Sequence, residues 1–397
     1  MNQPLRILLV TKSTGGVAEY VRQLVKGFDR NEFHITVACL SENSPEFAAE
    51  LAQIPNVKSF SLSMNRYKVD PFSDAQVLFA LASHLRREHY DLVHAHASKP
   101  GFLVRLAAIG TNPPVLYSPH CFAFHAGAGR MAATVVAALE RLAARYLTTR
   151  IVVVADGERE LARQYGIGSD ELFVTVYTGI DPRPYSLPVD KATLKASLNV
   201  PANAKLVGAV GRLNAQKSPL DFVRAAGIIH KQLPDVHFAW AGSGPLEDSA
   251  RQLGAELGLN GVLHFAGYRM DVPDLLQCMD CFVLPSLWEG FPIVLLEAMA
   301  AGAPIVATNI PGNDEAIRSG VDGWLVPERN PEALAQSALD LLTNPQRADA
   351  FRNSSMQRVE QKFSRQAMLE NLASVYRQVA LEHQATPFDR VARKESL

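Results

Sequence analysis

At 397 residues the chain exceeds what one hydrophobic core usually holds, since cores stop growing near ~250–300 residues, so two domains are expected. With 48% hydrophobic and 20% charged residues, its balance is that of a folded globular protein and excludes an intrinsically disordered one. A formal net charge of −1, with neither half far from neutral, gives no reason to expect a nucleic-acid partner.

The opening MNQPLRILLV has one arginine, a short apolar run and no small-residue cleavage site, and no later apolar run is long enough for a membrane span, so a cytoplasmic location is expected. Short β-branched runs then alternate with helical patterns, the signature of βαβ units and parallel sheets. Strands are predicted at 6–10, 34–40, 91–96, 114–119, 150–155 and 173–179, with helical stretches at 19–28 and 131–147 between them. A second series follows at 205–211, 237–242, 262–268, 281–286, 304–309 and 323–327. The repetition implies two doubly wound domains. Three prolines in DPRPYSLPVDKA (181–192) mark the join, giving domains at 1–184 and 185–363. A further helix over 364–384 is expected to pack back toward the first domain, and 385–397 to form a flexible tail.

Three strand-to-helix turns suit phosphate, because helix N-termini offer unpaired N–H groups and partial positive charge. Gly15-Gly16 follows the first strand, where the backbone can approach a ligand closely, although a purely structural turn would use the same residues. It is neither GxGxxG nor a P-loop, which counts against a dehydrogenase or an NTPase. At VGRLNAQKS the strand end places Arg212 and Lys217 around a turn, two cations suited to a diphosphate or simply solvated. Gly242 and Gly244 bracket a third turn, where packing alone would also explain them. Cys278-x-x-Cys281 lacks a second Cys/His pair and runs into apolar CFVLP, so core packing is expected rather than zinc or redox chemistry.

The segment PSLWEGFPIVLLEAMAAGAP places Glu289 on a loop and Glu297 eight residues on, two turns into the helix. With this segment, together with GRL-x-x-x-K (211–217), AGSGP (241–245), VYTGID (176–181) and DGWLVP, the chain resembles the family 4 glycosyltransferases of GT-B architecture, whose E-x7-E signature it matches. PGNDEAI (311–317) departs from the family's two adjacent glycines, which bears on local loop shape. The resemblance implies an α/β fold of two Rossmann-like doubly wound domains facing a central cleft, with acceptor-side first and donor-binding second domains. It implies a donor site of Gly15, Gly16, Arg212, Lys217, Gly242, Tyr268, Arg269, Glu289, Gly290, Phe291, Ile293 and Glu297. Within it Arg212 and Lys217 hold the diphosphate and stabilise the leaving phosphate, Glu297 takes the ribose hydroxyls and Glu289 lies beside the transferred sugar. Gly290, Phe291 and Ile293 offer backbone N–H groups, and Tyr268 and Arg269 lie at the base.

His120 follows a strand end and matches the family's histidine near the anomeric centre. His94 and His96 alternate at a strand end, so that only one is expected to reach the site, His96 being the acceptor-side candidate. The implied reaction is retaining transfer from a nucleotide sugar, UDP-linked in most relatives, by same-face attack in which the leaving phosphate takes the acceptor's proton. No Asp-x-Asp is present, so neither a metal nor a cofactor is expected. A nucleotide-sugar 2-epimerase and a catalytically silent sugar-nucleotide-binding subunit are the rival readings.

Over residues 58–150 there are eleven Lys/Arg against five Asp/Glu. On the helix 130–147, Val135, Leu139, Leu142 and Tyr146 share one face and Arg130, Arg141 and Arg145 the opposite one. This suggests an anionic membrane surface as partner and a lipid-linked acceptor in bacterial polysaccharide assembly, with the enzyme peripheral at the inner face. A core-packed helix with a solvated arginine face satisfies the same pattern.

Overall fold

The computed structural model describes residues 3–40, 45–65, 70–124 and 129–384. The tail expected at 385–397 lies outside the described residues. The chain divides into two compact units, one from the N-terminus to Thr178 together with the stretch from Arg365, the other Gly179–Ser364.

In the first unit β1 (Leu5–Lys12), α1 (Gly16–Gly27), β2 (Phe33–Leu40), α2 (Pro45–Ala52), β3 (Val57–Leu62), α3 (Pro71–Arg87) and β4 (Leu92–His96) follow one another. Then come α4 (Ser98–Ala107), β5 (Val115–Ser118), α5 (Arg130–Leu147), β6 (Arg150–Val153), α6 (Asp156–Gln164) and β7 (Phe173–Thr175). The seven strands form one sheet in the order β3-β2-β1-β4-β5-β6-β7, every pairing parallel. Ile7, Leu8, Leu9 and Val10 are all fully buried, because helices cover both faces and leave no polar side to the strand. β1 to β3 step one way and the remaining strands the other, so right-handed crossovers put α1 and α2 on one face and α3 to α6 on the other. β3 was not anticipated. In its VKSFSL, at the sheet edge, only Val57 is buried, and its lysine and two serines hide the apolar run.

The second unit runs α7 (Lys191–Ser197), β8 (Leu206–Val210), α8 (Pro219–Gln232), β9 (His237–Ala241), α9 (Glu247–Glu256), β10 (Leu263–Gly267) and α10 (Val272–Gln277). It continues with β11 (Cys281–Leu284), α11 (Ile293–Ala300), β12 (Ile305–Thr308), α12 (Asn313–Ala316), β13 (Trp324–Val326), α13 (Pro331–Thr343) and α14 (Pro345–Lys362). Its six-stranded parallel sheet has the order β10-β9-β8-β11-β12-β13. Phe222, Phe238 and Trp240 form the centre of its core, with the Trp240 indole N–H donating to the Gly211 carbonyl at 2.8 Å. Cys278 and Cys281 are buried and free, and burial pushes both thiols up, as core cysteines do. The last helix, α15 (Arg365–Gln384), belongs to the first unit, where it packs on α1. No helix among the described residues is long and apolar enough to cross a membrane.

α5 departs from the alternative of a core-packed helix. Its apolar face does not pack into the core: Val135, Leu139, Leu142 and Tyr146, with Met131, are exposed. The face opposite the apolar stripe, where the arginines were expected, is instead the buried one of Ala133, Ala137, Glu140 and Ala144. Small residues let α5 approach α4, and Glu140 accepts both ends of the buried Arg105 guanidinium at 2.8 and 2.9 Å, with Arg105 also stacked over Tyr117. A bidentate buried pair and a face of small residues that joins the core of Tyr117, Phe122 and Phe124 hold this helix. Arg141 and Arg145 are exposed, while the side chain of Arg130 lies outside the described residues.

Candidate functional site

In each sheet the strand order reverses at one place, β1/β4 in the first unit and β8/β11 in the second; Gly15 follows β1, His96 ends β4, Arg212 and Lys217 follow β8, and Glu289 follows β11.

In the second unit β8 ends at Gly211, whose φ of 152° is open to glycine, and the chain turns through Arg212 to a short helical turn at Ala215–Lys217. Asn214 caps that turn, its side chain accepting from the Lys217 N–H at 3.1 Å. Lys217 Nζ then lies 2.6 Å from Glu289 Oε1 on the loop after β11, both side chains largely shielded. Gln216 donates to the other oxygen of Glu289 at 3.2 Å and to the Trp288 carbonyl at 3.0 Å, so the carboxylate is held from both sides. Arg212, in the turn before Lys217, is exposed.

The loop Glu289-Gly-Phe-Pro is extended, and α11 starts only at Ile293 after Pro292 as N-cap, with φ −75° and ψ 115°. Glu297 is therefore the fifth residue of α11, one turn in rather than two. Tyr185 donates its hydroxyl to Glu297 Oε1 at 2.8 Å and orients it. Phe291 packs its ring against Phe363, centroids 5.2 Å apart. Gly290 is buried beneath Gly312, where a Cβ would stand 2.2 Å from the Gly290 carbonyl. Asn313, at the position of the family's second glycine, anchors its amide on the Thr308 carbonyl at 2.9 Å.

Gly242 and Gly244 serve packing. A Cβ on Gly242 would stand 2.0 Å from the Gly211 carbonyl, and one on Gly244 2.4 Å from that of Leu213. Tyr268 is 78% exposed, and the Arg269 guanidinium is paired with Asp271 at 2.8 Å. No described contact joins either to the Lys217–Glu289 pair.

In the first unit Gly15 caps α1 with φ 74°, and a Cβ there would meet nothing within 4 Å, so this loop is open. One turn into α1, Tyr20 sets its ring edge against His120, centroids 4.7 Å apart. His94 and His96 do not divide between two faces, as the sequence reading held. Residues two apart on a strand share a face, and their rings lie 4.1 Å apart, both fully buried. His96 Nδ1 is 3.0 Å from His120 Nε2. Burial and the neighbouring rings hold His94 and His120 well below the ordinary imidazole range, and burial alone brings His96 to about 3.

Sequence reasoning missed Gln216, Tyr185, Tyr20 and Glu158, whose carboxylate accepts from the Cys121 N–H next to His120. Only Gln216, adjacent to Lys217, carried a signal in its position. Among the described residues no group of three or more His, Cys, Asp or Glu is placed to hold a metal ion.

The description "Glycosyl transferases group 1" matches residues 190–358, and "Glycosyl transferase 4-like domain" matches residues 15–179. A UDP-Gal:alpha-D-GlcNAc-diphosphoundecaprenol alpha-1,3-galactosyltransferase of Escherichia coli is 33% identical over 276 residues, covering 68% of this chain and 71% of that protein. A D-inositol 3-phosphate glycosyltransferase of Kineococcus radiotolerans is 30% identical over 338 residues, covering 78% and 76%. Among solved structures, Anabaena HepE in complex with UDP and glucose matches with a TM-score of 0.81 at 22% identity, covering 94% of this chain and all of that one. The fold is that of the GT-B glycosyltransferases.

Proposed function

Because the chain belongs to the group 1, family 4-like glycosyltransferases, we propose that it moves a hexosyl group from a UDP-sugar, with retention, to a hydroxyl of a lipid-linked glycan. The observation that carries this reading is the Lys217–Glu289 pair at 2.6 Å, at the switch point of the second sheet. A diphosphate arriving there offers Lys217 a stronger partner than one carboxylate. The ammonium and the Arg212 fork then stabilise charge as it develops on the leaving phosphate, which takes the acceptor's proton. Glu289, held by Gln216, stands beside the transferred sugar; Glu297, oriented by Tyr185, accepts from the ribose hydroxyls. Backbone N–H groups of Gly290, Phe291 and Ile293 meet sugar and phosphate oxygens, and Gly15 and Gly16 supply the open loop of the first unit. His120 donates to the sugar. Positioning and phosphate electrostatics supply most of the rate, with no metal or cofactor required. Solved HepE with UDP-glucose and the E. coli relative named for a UDP-Gal donor support a UDP-sugar.

That relative also carries a diphosphoundecaprenol acceptor in its name, which favours a lipid-linked acceptor here. The exposed apolar face of α5 supports the same acceptor and a cytoplasmic enzyme peripheral at an anionic membrane. The single acid of α5, Glu140, is buried on Arg105, so what the helix shows to solvent is apolar residues flanked by Arg141 and Arg145. Each basic residue near an anionic surface adds on the order of 1 kcal/mol.

Purified protein given UDP-hexoses with and without a GlcNAc-diphosphate-lipid tests the reading. Product formed only with acceptor, with the donor's anomeric configuration, supports it. Conversion of donor alone would mark an epimerase, and UDP binding without turnover on any pair a silent subunit.

A further inference from the structure

Beyond His120 the first unit holds a buried chain of aromatic groups whose proton positions follow from its hydrogen bonds. Ser118 donates its one hydroxyl proton to the Val152 carbonyl at 2.7 Å, so its oxygen accepts from His94 Nε2 at 2.9 Å. His94 therefore carries its proton on Nε2, and its Nδ1 accepts from the Tyr376 hydroxyl at 2.7 Å. With both nitrogens occupied, His94 is an anchor.

His96 differs. Its Nδ1 faces His120 Nε2 at 3.0 Å, and its Nε2 is buried without a partner among the described residues. One proton lies between the facing nitrogens. Were it supplied by His120, the proton belonging to His96 would sit on Nε2 as a buried N–H with no acceptor, the rarer and costlier arrangement. Supplied by His96, it leaves Nε2 a bare acceptor and puts the proton of His120 on Nδ1.

The backbone beneath His120 is strained as well. His120 and Cys121 have φ of 51° and 92°, two left-handed residues in succession, neither of them glycine. Glu158, buried in the first turn of α6, holds this turn by accepting the N–H of Cys121 through one oxygen and that of Val154, at 3.1 Å, through the other. The Tyr20 ring packs against the His120 ring, centroids 4.7 Å apart and steeply inclined.

We propose that His96 and Glu158 are positioning residues for His120: Glu158 fixes its left-handed turn, and His96, by donating from Nδ1, makes His120 present Nδ1–H as a donor to a hydroxyl of the transferred sugar. The inference rests on the reading of the chain as a sugar transferase, but its proton assignment does not.

Protein labelled with 15N-histidine, free of donor, reads the assignment directly, with the His120 resonance identified by its loss in His120→Gln. The expected result is a protonated Nδ1 and bare Nε2 on His120 in the wild type, retained in His96→Asn, whose amide can donate from the same place, and lost in His96→Leu. His96→Leu and Glu158→Gln should each lower kcat about 100-fold with donor KM within about two-fold, and His96→Asn should recover most of it. A wild-type His120 protonated on Nε2 overturns the proposal, as does unchanged kcat in both His96→Leu and Glu158→Gln. If the expected tautomer is found but wild type transfers no sugar, the proton assignment stands and the transferase reading falls.

Discussion

Lys217 sits where the functional and structural readings of one ion pair part company. Glu289 keeps a second donor in Gln216, so Lys217→Gln, whose amide can still meet the carboxylate, should change folding stability by less than about 1 kcal/mol. Loss of the cation at a developing phosphate charge should cost about 10²–10³ in kcat/KM. Urea unfolding beside steady-state kinetics checks this, and stability falling in step with activity would make the pair structural. The buried histidines set a pH dependence of their own. His94 and His96 titrate below the ordinary value of about 6.5, so as pH falls the unfolded chain takes up protons that the folded rings refuse. Stability is then present above about pH 6.5 and is lost as pH falls below it. Each ring contributes about 1.4 kcal/mol per pH unit there, so the pair makes pH 5.5 about 2.5 kcal/mol worse than pH 7.5. Unfolding free energies of wild type and His94→Gln/His96→Asn at both pH values test it; equal pH slopes would refute it. These residues show what was legible at this scale. The E-x7-E spacing and GRL-x-x-x-K pointed to Lys217 and Glu289, but a hydroxyl 112 residues away on Glu297 leaves no local trace.

Strand runs were legible because parallel strands buried on both faces read as continuous apolar stretches, and β3 was lost because Lys58, Ser59 and Ser61 break its apolar run. Helix α5 shows the opposite failure. Periodicity found its apolar stripe but could not say which way it faces, because an apolar stripe normally marks the core. A buried Arg105–Glu140 pair decided the matter, joining residues 35 apart. Glu140→Ala should therefore destabilise the first unit by about 3–5 kcal/mol, since it strands a fully buried guanidinium, while Arg105→Met/Glu140→Leu should recover most of that. A double variant no better than the single one would show that the pair acts through specific geometry and not through charge burial. On the outer face, Leu139→Glu/Leu142→Glu should leave thermal stability unchanged, both residues being exposed, yet abolish flotation with anionic vesicles at low salt. Equal flotation would move the membrane reading away from this helix.

The chain leaves its first unit once and returns once. Ile180 N–H donates to the Phe363 carbonyl at 2.9 Å, and Ile180 pairs with Ser364, so the second unit begins and ends on adjacent strands of backbone. A segment with neighbouring ends and its own core behaves as an insertion that can be excised. The first unit is the discontinuous one. It needs α15 for the Tyr376 hydroxyl on His94 and for Leu369, which packs so closely on Gly27 that a Cβ there would meet it at 2.3 Å. Composition and strand count made two domains legible in the sequence, but this asymmetry depends on contacts between residues 282 positions apart and more, which no local pattern records. Residues 179–364 expressed alone should accordingly unfold cooperatively in urea and bind UDP by calorimetry with an affinity within about ten-fold of the full chain, because Lys217, Glu289, Glu297 and their supports all lie within them. Residues 1–178 alone should lack a cooperative transition and regain one when 365–384 is joined through a flexible linker. A cooperative 1–178 would show that α15 adorns a unit already complete, and loss of UDP binding by 179–364 would place essential donor contacts in the first unit.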